Sequence, residues 1–171
     1  MTTLSLFARE PSQLVETSDL QCTPRDLALE LGRFGLDPCS NPLSHILADR
    51  TCMLEHGQDG LSDPWTVDGI TGSHLASVWC NGEYSDPLPW CERLRAHQAP
   101  WTALWKLDTT TGWWRTLVSG SGATWAPFRK RVAFEKAGNV GVANFCSVLV
   151  WRDWEPPAAV LARLWAPRVE S

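Results

Sequence analysis

The stretch 77–94, SVWCNGEYSDPLPWCERL, constrains the fold of this 171-residue chain more than any other. Ser77, Val78, Trp79 and Cys80 are small or apolar, with a β-branched and an aromatic member, the composition of a strand buried inside a sheet. Asn81-Gly82 ends that strand, glycine supplying backbone freedom and close approach. Ser85 or Asp86 is expected to cap the helix that follows, with Pro87 or Pro89 in its first turn. A strand that runs into an amide and an aromatic at the carboxyl edge of an α/β sheet puts both where such folds hold their ligands.

Other segments support an α/β reading. Thr23-Pro24 followed by RDLALEL predicts a helix with Thr23 as N-cap, Pro24 at the first position and Asp26 near the positive end. Gly32 or Gly35 closes it. Phe34 to Asp37 reads as a short strand ending in Asp37-Pro38, then a loop of small and polar residues, Cys39-Ser40. A carboxylate at a strand's carboxyl end can accept hydrogen bonds from a ligand's ammonium or hydroxyls. It can equally set an ordinary Asp-Pro turn. A helix is expected between Leu43 and Leu54, and Asp59-Gly60 can form a tight turn. Strands are expected at 101–107, 128–134 and 144–151, with a turn at 138–143 between the last two. A helix carrying Trp113 and Trp114 should follow Asp108 and Thr109, and another is expected within 156–167, with Val160, Leu161, Leu164 and Trp165 on one face.

The central motif resembles the Asn/Asp-Pro-Pro-Tyr motif of amino-methyltransferases, and looks most like that of the small phage-type DNA N-6-adenine methyltransferases. Asn81, Tyr84, Ser85, Pro89 and Trp90 match, while Gly82 and Glu83 stand where that family has two prolines. Thr23-Pro24, Asp37-Pro38-Cys39, Asp59-Gly60-Leu61 with Trp65, and Asp108-Thr109 with Trp113 resemble its other motifs in the same order. The resemblance implies a compact Rossmann-like methyltransferase fold, a mostly parallel sheet with helices on both faces, over residues 17–152. An N-terminal arm (1–16) and a C-terminal helical extension (153–171) would flank it. It also implies S-adenosylmethionine as cofactor, held by Thr23, Pro24, Asp37, Pro38, Cys39 and Asp59. Asn81, Gly82, Glu83 and Tyr84 would be catalytic, acting on a flipped or single-stranded DNA base, with Ser85, Asp108, Thr109, Trp113 and Arg131 on the substrate side. Gly82 and Glu83 leave three outcomes open. Glu83 points outward and adenine-amine methylation persists; Glu83 redirects the site to another base or donor; or the site is silent and the protein is a binder, for example an inhibitor of a host factor.

Charge and composition bound these readings. The net charge is −4 and the pI about 5.5, a balance that argues against tight non-specific DNA binding except through a local patch. Arg129-Lys130-Arg131 is the obvious run, either a phosphate contact or a solvated face. Eleven tryptophans exceed what packing alone usually takes, which suggests that some line a pocket or a stacking surface. Six cysteines without a CxxC pair fit reduced thiols in a cytoplasmic protein. Four scattered histidines give no metal-ligand spacing, and no apolar run is long enough to span a bilayer.

Overall fold

Leu27, Ala28 and Leu31 bury one side of the first helix, α1 (Arg25–Leu31), in a computed structural model that describes residues 21–65, 77–119, 121–136 and 139–170. Gly32 closes α1 at φ 84°, a left-handed conformation that a Cβ would oppose. The chain passes straight into β1 (Arg33–Asp37). β1 lies between β2 (Leu47–Thr51) and β3 (Val78–Cys80), parallel to both. β3 pairs in parallel with β4 (Trp101–Lys106). Beyond β4 lie β8 (Ser147–Arg152), β5 (Thr124–Pro127) and β9 (Arg168–Val169), each antiparallel to the strand before it. The result is an α/β fold on a seven-stranded mixed sheet in the order β2-β1-β3-β4-β8-β5-β9. A separate two-stranded ribbon, β6 (Ala133–Lys136) with β7 (Asn139–Val142), links β5 to β8.

Alternation along the central strands divides the interior into two cores. Val78 and Cys80 of β3, Trp101, Ala103 and Trp105 of β4, and Val148 and Val150 of β8 face one side. There they meet α2 (Leu88–Ala96) and α3 (Gly112–Leu117) through Trp90, Leu94, Trp113 and Trp114. Trp79, Leu104, Leu149 and Trp151 face the other side, against α1 and Val160 of α4 (Ala158–Arg163). Helices therefore cover both faces. Trp79, Trp101 and Trp105 are essentially inaccessible, and truncating such a side chain to alanine costs about 3–5 kcal/mol.

Several local expectations are corrected. Residues 43–54 hold no α-helix; β2 occupies their middle and a 3₁₀ turn follows at Leu54–His56. Pairing with β1, reinforced by Arg33 Nη1 donating to Asp49 Oδ1 at 2.5 Å, outweighs the helical spacing of the apolar residues. The strand expected at 128–134 is displaced to Thr124–Pro127 and Ala133–Lys136, and Asn139–Val142 is a strand of the ribbon rather than a turn. Thr23 does not cap α1, and neither Ser85 nor Asp86 caps α2; prolines occupy both cap positions without a side-chain cap bond. Trp165 leaves the helical face, since α4 ends at Arg163 and the indole is 57% exposed. The extension after residue 152 is built into the sheet through β9, and α4 packs on α1. The expected arm at 1–16 and the connection at 66–76 lie outside the described residues.

The chain leaves β1 towards β2 on one side and returns to place β3 on the other. That reversal opens a crevice at the carboxyl ends of β1 and β3, where open α/β sheets bind ligands. The 59–63 turn is packed against the same edge: a Cβ built on Gly60 would lie 1.6 Å from the carbonyl oxygen of Pro38. Gly60→Ala should therefore lower the unfolding free energy by about 3 kcal/mol, read as a fall in the urea midpoint. Gly57, where a Cβ meets nothing but φ is 72°, should lose only about 1 kcal/mol on the same change.

Candidate active site

Asp37 closes β1 and is 2% exposed. Its Oδ1 accepts from the Cys39 N–H at 3.2 Å and lies 3.5 Å from Cys39 Sγ, and the Ser40 and Ser44 hydroxyls bond to the same carboxylate. Burial pushes the carboxyl up to about 6, against the lowering effect of these donors. Cys39 Sγ lies 3.9 Å from Cys80 Sγ at the end of β3 and accepts the Asn81 N–H at 3.2 Å. Burial, with Cys80 and Asp37 adding to it, holds the Cys39 thiol well above its usual range.

Asn81 sits where β3 ends. Its Nδ2 donates to the Gln21 carbonyl and to Thr23 Oγ1, both at 3.3 Å. Its Oδ1 accepts from the Tyr84 hydroxyl at 3.1 Å. Thr23 thus turns its hydroxyl to Asn81 instead of to its own helix. Gln21, Cys22, Thr23, Asp37, Cys39, Asn41, Ser44, Trp79 and Asn81 line one polar cleft of about 20 Å³. Glu83, half-buried, is not among its lining residues.

Tyr84 stands among aromatic rings, its centroid 5.9 Å from Trp105, 5.9 Å from Phe134 and 5.5 Å from Phe145. Burial raises its phenol far above the usual range, so it acts as a neutral donor. Phe134 and Phe145 also line a second cavity, of about 380 Å³, beside the ribbon, together with Val140, Gly141, Val142, Ala143, Asn144 and Gln21. Gln21 borders both spaces. The ribbon is pinned over this edge by Glu135, which pairs by backbone with Cys22, accepts the Arg25 N–H at 3.2 Å and meets His45 Nε2 at 2.7 Å. No sequence signal pointed to Phe145 or Glu135 as part of the site, and Phe134 was read only as a strand residue, because their partners lie across the chain.

Of the residues singled out in the sequence, Thr23, Asp37, Cys39 and Asn81 converge in the cleft. Pro24 and Pro38 are buried beside it in the chain, and Gly82 is buried against Trp90. Asp59 is held by its own turn: its Oδ1 accepts the Leu61 N–H at 2.9 Å and its Oδ2 the Ser62 hydroxyl at 3.0 Å. Asp108 likewise ties its loop, accepting from Thr110 N at 3.1 Å and Oγ1 at 2.7 Å, and the Thr110 hydroxyl keeps it below the usual carboxylate range. Thr109 is exposed. Trp113 belongs to the core, 5% exposed and packed on Trp105 and Trp114, which corrects the expectation that it stacks on a substrate. Ser85 and Arg131 are exposed and do not line the cleft. Among the described residues, no cluster of His, Cys, Asp and Glu could hold a metal ion, and no helix is long and apolar enough to cross a membrane.

No protein-family model, curated protein or solved structure matches the chain.

Two measurements probe the site's energetics. The Asp37 carboxyl is raised in the folded state, so it favours folding when protonated. Its contribution is complete below pH ~4 and is lost as pH rises towards ~6, on the order of 3 kcal/mol. Asp37→Asn should flatten that part of the stability–pH profile and raise the melting temperature at pH 8; an unchanged profile would count against a buried, ionisable Asp37. A Cβ on Gly82 would lie 2.9 Å from the Trp90 ring. Gly82→Ala should cost about 1–3 kcal/mol in denaturant unfolding.

Proposed function

We propose that the protein is an S-adenosylmethionine-dependent enzyme that modifies a DNA base, by methyl transfer to an exocyclic amine such as adenine N6. The observation that carries this reading is the convergence of Asn81, Thr23, Asp37 and Cys39 at the point where the strand order reverses. The sheet is read accordingly as a Rossmann-like methyltransferase sheet, with the donor at the tip of β1 and the base at the tip of β3.

The chemistry of the residues at the tip of β1 fits the donor. The buried Asp37 carboxylate and the Ser44 hydroxyl beside it match the ammonium and carboxylate of its amino-acid half. When bound, the donor supplies the methyl group. In its present form the cleft, at about 20 Å³, has room for a water molecule. Donor entry therefore requires the Asn81–Gln21 hydrogen bond to part. The aromatic-lined cavity, at about 380 Å³, falls in the range of small-ligand sites, ~300–1,000 Å³, and suits a planar heterocycle taken out of its stack. Asn81 Oδ1 and the Gly82 carbonyl would accept the two amine hydrogens and so orient the nitrogen lone pair away from them. For this the Tyr84 hydroxyl must release Asn81 Oδ1 and leave that acceptor to the substrate.

The closed state of Asn81 favours one other reading. Its amide and its oxygen both bind protein partners, as they would in a methyltransferase-like binder that performs no chemistry.

The two readings separate in one experiment. DNA incubated with protein and S-adenosylmethionine, then digested to nucleosides, should show a methylated base by mass spectrometry. Asn81→Ala should lower that yield about 100-fold or more, and calorimetry should show S-adenosylhomocysteine binding to both proteins. Donor binding with no change in any base would establish the binder, and no heat at millimolar ligand would refute the cofactor.

A further inference from the structure

Trp165 is the most exposed tryptophan whose ring already has a fixed neighbour: it is 57% accessible, and the Arg129 guanidinium lies over it at 5.2 Å. Arg129 is itself held, its Nε donating to the Leu164 carbonyl at 2.7 Å and its N–H to the Arg163 carbonyl at 2.9 Å. The Trp165 backbone N–H donates to the Pro127 carbonyl at 3.0 Å. The indole is therefore presented by two paired chain segments and is not a loose surface side chain. Lys130 and Arg131 follow Arg129, both exposed, and Arg168 covers Trp125 at 5.4 Å. The carboxylates that meet this segment are engaged elsewhere: Asp26 and Glu30 both accept from Arg163.

This patch faces the same edge of the sheet as Asn81. β5 runs in the sense of β4, since both are antiparallel to β8, so Pro127 and the residues after it leave at the carboxyl edge. From β3 to β5 is three strand spacings, ~15 Å at ~4.8 Å each.

We propose that Trp165, with Arg129, Lys130 and Arg131, is a landing surface for single-stranded nucleic acid, which stacks a base on the open face of the indole and pairs its phosphates with the cations. Stacking on an aromatic face and a short basic run are the two elements that bind single strands without reading sequence. A local patch of this kind also reconciles nucleic-acid binding with a net charge of −4. The inference rests on the reading of a base-modifying site, because it supplies the strand from which the base is taken.

The probe is a fluorescein-labelled deoxythymidine oligomer of about 12 nucleotides, within the ~4–16 typical of such sites, followed by anisotropy without donor. The full chain should bind it more tightly than a duplex of equal length. Trp165→Ala should weaken binding about tenfold with an unchanged salt slope, and Trp165→Phe should retain most of the affinity. The double change Lys130→Gln with Arg131→Gln should lower the slope of log affinity against log salt by about 1.4. Thermal melts would verify that each variant is folded. Binding of Trp165→Ala within twofold of the wild type, or tighter binding to the duplex, would overturn the proposal. S-adenosylhomocysteine calorimetry on the same variants keeps the two ideas apart: it reads the Asn81 cleft and should not move.

Discussion

β3 is three residues long and buried on both faces, and the rest of the molecule depends on that burial. Val78 and Cys80 enter one core and Trp79 the other, so the strand is clamped between two helical layers. A strand of that kind cannot slip in register without driving an indole and a thiol into the wrong layer. Its end is therefore fixed, and Asn81 emerges at a single place. β1, locked beside it by parallel pairing, delivers Asp37 to the neighbouring position. The cleft is a consequence of two short strands ending side by side, with α1 entering from the segment that supplies Gln21 and Thr23.

The parts of this arrangement that were legible in the sequence are those encoded locally. Strands β1, β3, β4 and β8 announce themselves as apolar runs, α1 by its Thr-Pro opening and its glycine stop. Asp37 and Asn81 could be singled out because each follows such a run, and Cys39 through the resemblance of Asp37-Pro38-Cys39 to a known motif. What was hidden depends on pairing across the chain. β2 reads as a helix because its apolar residues are few and it lies at the edge of the sheet, where parallel pairing with β1 decides the matter. β5 is obscured by Pro127, a residue tolerated at a strand's end. The ribbon could not be foreseen, because its place is set by Glu135 bonding to residues 90 and 110 positions earlier. The tryptophans mislead in both directions: Trp113 is core, whereas Trp165, expected on a helical face, stands in solvent.

Gly82 gives physical content to the departure from the Asn-Pro-Pro-Tyr pattern. The Trp90 ring lies so close that any Cβ at position 82 would crowd it, and a proline carries both a Cβ and a ring. Trp90 belongs to α2 and is 5% exposed, so the glycine and the tryptophan form one packing unit. The turn after Asn81 is shaped by an indole from the following helix where a proline ring would otherwise stiffen it. A proline placed at position 82 alone would therefore meet the indole, and such a change has to be considered together with one at Trp90.

Gln21 couples the two spaces at this edge. Its carbonyl holds the Asn81 amide in the polar cleft, and its side of the chain lines the aromatic cavity. The next residue, Cys22, pairs by backbone with Glu135 of the ribbon. A displacement of residues 21–23 would at once free the Asn81 amide, enlarge the cleft beneath Asp37 and shift the wall of the cavity. Such a displacement breaks a few hydrogen bonds, each worth about 1 kcal/mol net, while the two cores keep the strand ends in place. On the proposed reading, opening for a donor and opening for a planar substrate would be one movement, and binding of either would lower the free energy needed to admit the other.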